Sequence, residues 1–596
     1  MRLRDYNQCM VTSPRPLKPT LSRLQIAALL LALFSFAMSA ILSRTVFERL
    51  PHLEDEVAYL FQARTLARGD AAIESPQPER AFWQPFVVDH EGLRFSKYTP
   101  GWPALLAVGE AVGSHWLINA SLAALTTALI FRLGAAVYSQ SVGLIGAALA
   151  AFSPMALLLN ATLMGHTAAL FAGTLFLYAY WRLEHAQHRR LRWGVVAGLA
   201  LGGLIAARPM SALAIALPLM AWSAIRLWRA RKAALLPTLR PLLALSAVAL
   251  LISLCIPIYN HAATGSATQN LYTLVWSYDR VGYGEGYGRN THTLEKGIRH
   301  TRYDLSLMAA DLFGWQLQPL TPELLAHLQT ESDYWPATGV SWILLPLGLL
   351  VIYRRRAWWT ALWFAALIAW VSLPGALLDG QLSRDPRFAW AWLLLGIAGL
   401  LLPLTRLRGR GAWTWLLVST ALMLIAVQLA YWIGSQRYST RYYFEGLTAL
   451  ALISALPLAW LAEQRVGGRS LRSWLYGGLA LILGVTLFAY SLPRIDVLRG
   501  YNLITRAQIA EVEARRSGDQ PVLVLVTGTD VRWRAYGALT ALTSPYLDSP
   551  IVVAWVYDES VRDQIAAQFP DRQIIEMAAE GNRAWFVDGP PAANGE

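Results

Sequence analysis

Pro51-His52-Leu53-Glu54-Asp55-Glu56-Val57-Ala58-Tyr59-Leu60 follows directly on the first strongly apolar run of the chain. Three consecutive carboxylates repel one another at the mouth of an apolar segment, so they call for open water or a chemical task. Where the stretch sits depends on the run before it. Leu24 to Leu42 is long enough to cross a bilayer, which takes roughly 20 apolar residues, and it ends without a small-residue cleavage site. It reads as a retained first helix. Arg2, Arg4, Arg15, Lys18 and Arg23 precede it and hold residues 1–23 in the cytoplasm as a basic tail. The acidic stretch then opens the first external loop.

The rest of the chain extends this pattern. Of 596 residues 55% are apolar and only 15% charged, and apolar runs recur along the whole length, which defines a polytopic α-helical membrane protein. The formal charge of +13 is spread over short Lys/Arg clusters between the runs. It forms no single basic face, so nucleic acid is excluded as a partner. Cys9 lies in the polar tail and Cys255 inside an apolar run, so neither a disulfide framework nor a cysteine metal site is implied.

The clusters Arg182 to Arg192, Arg226 to Lys232, Arg354-Arg355-Arg356, Arg406 to Arg410 and Arg465 to Arg472 fall on the cytoplasmic side by the positive-inside rule. Between them, helices are predicted near 24–43, 114–134, 141–158, 166–183, 193–207, 210–228, 241–259, 340–353, 358–378, 389–405, 412–433, 446–463 and 474–491, about thirteen spans in all. An odd count puts the C-terminus outside. The transmembrane domain covers 24–492, with large external loops at 44–113 and 260–339, and residues 493–596 form a further external domain.

In the first loop, Glu54 to Arg68 reads as a helix ended by Gly69, and Phe86 to Lys97 as two extended runs around a polar Gly turn. An apolar segment after Pro103 belongs at the membrane interface. The second loop holds Val281-Gly282-Tyr283-Gly284-Glu285-Gly286-Tyr287-Gly288. No strand precedes it and no Lys-Ser/Thr follows, so it is not a nucleotide cradle; it is a loop able to close over a substrate or a plain connection. A helix over about Leu294 to Phe313 follows. Beyond Arg494, strands are predicted at 521–526, 551–556 and 572–577 and helices at 505–516 and 560–569, a small soluble α/β unit without a catalytic motif.

External carboxylates, a nearby lysine and arginines at external helix ends are the parts needed to move a sugar off a lipid phosphate. One carboxylate takes the acceptor hydroxyl proton, and cations or a metal stabilise charge on the leaving phosphate. Adjacent helix residues project about 100° apart, so the three acids cannot share one pocket. Asp55 is assigned as base, its pKa raised by burial and repulsion, with Glu56 as orienting or metal-linked partner and Glu54 in water. Acids that merely favour the helix dipole are the alternative.

Lys97 is assigned to lipid phosphate, or else snorkels at the interface. Arg208, in Ala207-Arg208-Pro209, and Arg441 would each cost about 2.5–3.5 kcal/mol at a span centre. They belong at an interface or a polar cavity, where they bind phosphate or anchor the chain. His166 stands at another external helix end, for structure or for substrate or metal contact.

With these residues placed, the sequence resembles the GT-C superfamily of polytopic glycosyltransferases, within it the protein O-mannosyltransferase and aminoarabinose-transferase-like group. The resemblance rests on Glu54-Asp55-Glu56-Val57-Ala58-Tyr59, Lys97-Tyr98-Thr99-Pro100-Gly101-Trp102-Pro103, Ala207-Arg208-Pro209 and Thr440-Arg441-Tyr442-Tyr443-Phe444-Glu445, in that order over about residues 24 to 490. It implies a polyprenyl-phosphate-linked sugar donor, inversion at the anomeric carbon and an acidic base, which falls on Asp55. Lys97 departs from the Lys-Pro-Pro form of the aminoarabinose transferases.

Expected substrate contacts are therefore Lys97, Tyr98, His166, Arg208, Arg441 and Tyr442. The acceptor, a glycan, lipid or protein, is not specified, and neither is a divalent metal, which some GT-C members use and others do not. The expected location is a bacterial inner membrane with the active site periplasmic. The alternative is a transporter or flippase of a lipid-linked glycan, which the absence of paired, Gly/Pro-broken repeats disfavours.

Overall fold

The computed structural model describes residues 21–230, 232–316, 321–322, 339–353, 408–435 and 437–587. Among them, eight helices are long and apolar enough to cross a membrane, or nine if one bent pair counts as a single span. The chain is accordingly an integral membrane protein. The expected count of about thirteen is not reached among the described residues, and the expected spans 358–378 and 389–405 lie outside them.

The first span, α1 (Arg23–Thr45), starts at a capping box in which Ser22 and Gln25 satisfy each other's backbone N–H. After it come α2 (Glu54–Ala67), the strands β1 (Ile73–Glu74), β2 (Val87–His90) and β3 (Leu93–Ser96), and α3 (Gly101–Ala111). The expected helix and hairpin of the first loop are therefore present. The strands form one antiparallel sheet in the order β1-β3-β2, and Arg94 reaches Asp89 opposite it at 2.7 Å. Gly69, with φ +95°, closes the turn after α2 in a conformation other residues avoid.

Next, α4 (Ile118–Val137) leads to α5 (Gln140–Ala151) and α6 (Pro154–Asn160). This pair was expected as one span over 141–158. It bends by 62° at a break, because Ser153 caps a new helix at Pro154. α7 (His166–His185) is a 20-residue helix that is not among the eight candidate spans. α8 (Arg190–Ala207) and α9 (Pro209–Arg229) abut at Arg208. Pro209 is suited to a first helical position and cannot continue the helix before it, so the chain breaks there and leaves Arg208 at a helix end.

Further candidate spans run over Leu235–Thr264, Gly409–Gln428, Arg441–Ala462 and Arg472–Asp496. The expected helix at 340–353 appears as a shorter apolar one, Ser341–Tyr353. Outward faces are apolar: Leu250 and Leu251 are 67% and 69% exposed, which suits lipid contact and not water. The second loop carries the helix Leu294–Asp311.

Past a small hairpin, β4 (Arg465–Val466) with β5 (Arg469–Ser470), the tail contains β6 (Val522–Thr527), β7 (Ile551–Val556), β8 (Gln573–Glu580) and β9 (Arg583–Phe586). Their order is β7-β6-β8-β9, parallel except for the last pair. Three of these strands and the helices Arg506–Arg515 and Glu559–Ala567 lie where the sequence places them. β6 is buried on both faces, as a central parallel strand must be. The sheet region docks on the first loop: Ala81 and Phe82 pack with Leu523, Leu525 and Val552, and Leu50 and Val57 with Ile504 and Trp533. Arg68 pairs with Asp548 at 2.7 Å.

Candidate active site

α2 projects its first-turn acids in three directions. Glu56 turns inward, fully buried. Its Oε2 accepts the backbone N–H of His52 at 2.8 Å and of Leu53 at 3.0 Å, and its Oε1 accepts Leu163 N–H at 2.7 Å. The Tyr438 hydroxyl donates to Oε2 at 3.1 Å. One carboxylate thus ties together the start of α2, the turn before α7 and the loop before Arg441. Burial pushes Glu56 up to about 7 against the opposing pull of those donors. Expected beside Asp55 in the chemistry, it lies outside the cavity wall, with its lone pairs spent on backbone.

Asp55 and Glu54 face a cavity of about 910 Å³. Asp55 Oδ1 accepts the Tyr98 hydroxyl at 2.6 Å, and Oδ2 stands 3.8 Å from Arg441 Nη2. Burial pushes the Asp55 carboxyl up, but Arg441, the Tyr98 hydrogen bond and Lys97 outweigh it and hold the group below its ordinary value. The expectation of a raised pKa is overturned, because cations surround this acid more closely than its neighbouring acids do. Glu54, expected in water, lines the cavity and bridges Arg437 at 2.6 Å and Arg534 at 3.3 Å.

The turn after β3 supplies the next cation. A Cβ on Gly101 would lie 2.4 Å from the carbonyl carbon of Ala206, so only glycine lets the start of α3 press against the end of α8. Thr99 also reaches Ala207 O at 3.3 Å. This contact brings the Lys97–Tyr98 turn onto the same cavity wall as Arg208. Lys97 is buried, 3.3 Å from Asp279, with its ammonium 3.7 Å from the Phe86 ring centre and 4.9 Å from that of Trp276. Burial lowers its pKa, opposed by Asp279. Asp279 is itself fixed by Tyr431 at 3.2 Å and Trp432 at 3.0 Å. A lysine snorkelling at the interface does not describe this geometry.

The inner end of the cavity lies at the α8–α9 break. Arg208 Nε is 3.1 Å from Glu445 Oε1, which is 3.5 Å from His166 Nδ1. Tyr442 lies beneath both Arg208 and Arg441, at 6.0 and 5.3 Å. Among the described residues, no hydrogen bond meets Arg441 Nε or Nη1, either His166 ring nitrogen or either Glu445 oxygen. Buried polar atoms are seldom left so.

Lys97, Tyr98, His166, Arg208, Arg441 and Tyr442 all line this one cavity with Asp55. Sequence reading missed Asp279, Glu445, Arg437, Trp533 and Arg534 as parts of the site. Only Glu445 carried a signal, being a carboxylate close behind Arg441. Among the described residues, six cationic side chains line the wall against three carboxylates, so the space suits an anion. No group of three or more His, Cys, Asp or Glu there could hold a metal ion. Asp55 and Glu54 face guanidinium groups instead, which is a poor fit to a divalent cation.

Fold and cavity together define a polytopic membrane protein with a polar, cation-rich chamber where its spans meet its loops. No protein-family model matches the sequence, and no curated protein matches it. Among solved structures it is similar to ArnT from Cupriavidus metallidurans bound to undecaprenyl phosphate, with 12% identity, 93% of this chain and 96% of that one covered, and a TM-score of 0.47.

It is also similar to the archaeal oligosaccharyltransferase AglB from Archaeoglobus fulgidus in complex with an inhibitory peptide and a dolichol-phosphate, with 14% identity, 93% and 69% coverage and a TM-score of 0.42. A third is the arabinofuranosyltransferase AftD from Mycobacteria, with 14% identity, 89% and 32% coverage and a TM-score of 0.38. All three are GT-C glycosyltransferases. At these identities and scores nothing about this chain's chemistry follows from them.

Proposed function

We propose that this protein is an inverting glycosyltransferase that moves a sugar from a polyprenyl-phosphate-linked donor to an acceptor hydroxyl on the external side of the membrane. One observation carries the reading. An ionised Asp55 shares a cavity with Lys97, Arg208 and Arg441, and buried Arg441 N–H groups there lack partners among the described residues. A base and a phosphate-binding cluster in one chamber are what this reaction requires.

The acceptor hydroxyl gives its proton to Asp55 as its oxygen bonds to the anomeric carbon, while the bond from that carbon to the phosphate oxygen breaks on the opposite face. The phosphate departs on its lipid as a dianion. It is a weak base, so charge stabilisation by Arg441 and Arg208 serves where a strong acid would otherwise be needed. Tyr98 and Arg441 keep Asp55 ionised and aimed. The arginines offer forked donors that match phosphate oxygens, and Lys97 adds a point charge once its hold on Asp279 loosens. His166 and Tyr442 shape the phosphate end.

In this reading the cavity opens on the periplasmic face of a bacterial inner membrane, with the tail on the same side, which the positive-inside rule supports. A glycan, lipid or protein acceptor is compatible with this chemistry. The experiment is sugar transfer in proteoliposomes containing the lipid extract of a strain that lacks the protein. The expected result is loss of an accumulated polyprenyl-phosphate sugar with release of polyprenyl phosphate. Movement of that lipid between leaflets with its sugar intact would refute the enzyme and favour a flippase.

A further inference from the structure

The second loop contributes two cations that the reaction above does not use. Arg280 and Arg289 flank the Gly/Tyr segment, both line the cavity, and both are exposed. The segment folds back on itself: the Tyr278 carbonyl accepts the N–H of Arg280 at 2.8 Å and of Gly288 at 2.9 Å, and Gly284 N–H donates to His292 O at 2.9 Å. Its two ends are thereby held at one place on the cavity rim. Every other cation of the wall has an acid: Asp279 for Lys97, Glu445 for Arg208, Glu54 for Arg437 and Asp55 for Arg441. No ion pair or side-chain hydrogen bond engages Arg280 or Arg289 among the described residues. Glu285, the acid at the loop tip, does not line the cavity.

These two arginines lie on a loop, away from the span ends where the donor phosphate is placed. The same cavity wall carries Trp83, 43% exposed, whose flat apolar face suits the ring of a sugar. We infer that Arg280 and Arg289 form an acceptor subsite that selects a sugar carrying an oxyanion, a carboxylate or a phosphate, close to the hydroxyl that is glycosylated. The inference rests on the transferase reading and narrows its acceptor. Paired guanidinium groups bind such oxyanions through charge-assisted hydrogen bonds.

The test is isothermal titration of the full-length protein in nanodiscs, preloaded with undecaprenyl phosphate, using methyl glucoside, methyl glucuronide and glucose 6-phosphate. The glucuronide or the phosphate should bind at least about tenfold more tightly than the neutral glucoside, and the stronger of the two names the anion. The double variant Arg280→Gln/Arg289→Gln should lose that preference while still binding undecaprenyl phosphate, which also reports that it is folded. Equal affinity for all three sugars overturns the subsite, as does an unchanged preference in the double variant. Displacement of undecaprenyl phosphate by the charged sugar does so too, since it makes the two sites one. Failure of the wild type to bind undecaprenyl phosphate counts instead against the transferase reading, and the sugar titrations remain readable on unloaded protein.

Discussion

The two ends of α7 hold the same kinds of side chain in opposite conditions. At the end rich in Lys and Arg, Glu184 accepts Trp222 Nε1 at 2.8 Å and Trp413 Nε1 at 3.0 Å and pairs with Arg226. Both of its oxygens are used. At the other end, about 30 Å away for a helix of this length, Glu445 lies between His166 and Arg208 with neither oxygen in a hydrogen bond among the described residues. A saturated knot of acid, arginine and indole holds helices together. An unsaturated one, where His166 and Arg208 line the cavity, marks that end of α7 as the candidate site.

Asp55→Asn breaks that contrast most severely. The amide keeps the shape and can still meet Tyr98, but it cannot take a proton, so transfer should fall by about 10²–10⁴-fold while undecaprenyl phosphate still binds. Transfer at the wild-type rate would remove Asp55 as base. Next in size, Arg441→Gln should weaken undecaprenyl phosphate binding by about 10–100-fold, the range of one or two lost charge-assisted hydrogen bonds; a titration of the variant measures this.

A smaller effect is expected from Glu56→Gln, which disturbs three segments without touching substrate. We expect kcat to drop roughly tenfold with donor affinity little changed, since a misplaced base loses alignment before it loses binding. The pH profile separates the two acids. Asp55, held below the ordinary carboxylate range against burial by Arg441 and the Tyr98 hydrogen bond, should add no inflection in the neutral range. Glu56 and Asp304, a buried acid of the helix Leu294–Asp311 that accepts the Ser435 N–H at 3.0 Å, are both pushed up to about 7 by burial and should produce one. An inflection there that Glu56→Gln leaves unaltered would remove Glu56 as its source.

The linked stability has a definite sign. The folded chain holds protons on these two acids more tightly than the unfolded chain does, so their contribution is full below the ordinary carboxylate range and is lost as pH rises through about 7. Least of all for transfer, Glu184→Ala should leave the rate per folded molecule unchanged and cost stability, by about 3 kcal/mol for removing one partner of a buried pair. Thermal unfolding and a rate assay on the same sample check both halves; a large loss of transfer with unaltered unfolding would undo the contrast between the ends of α7.

Much of the scaffold was legible in the sequence because it is local. α2 and the β2–β3 hairpin follow from a capped helix, a Gly stop and alternating runs, and the tail strands from short β-branched runs between turns. The α5–α6 break was missed although Ser153-Pro154 signals it, because the hydropathy of 141–158 continues across. The site was legible in part: Asp55, Lys97, Arg208 and Arg441 stand in recognisable local settings. Asp279 and Arg534 have none. Asp279 meets Lys97 across 182 residues and Arg534 meets Glu54 across 480, distances over which no periodicity speaks.

For Glu54-Asp55-Glu56 the division is sharp. Sequence alone determined that three acids begin a helix just past the first span, and that adjacent positions on it must point apart. Which acid faces which neighbour was decided by tertiary packing, since the rotation of α2 about its axis is set by what presses against it. Leu163 N–H and Tyr438 claim Glu56 for the interior, Arg437 and Arg534 claim Glu54 for the rim, and Tyr98 with Arg441 leave Asp55 ionised between them. Charge on a carboxylate is stabilised by groups within a few ångströms in space, and here those groups come from all along the chain.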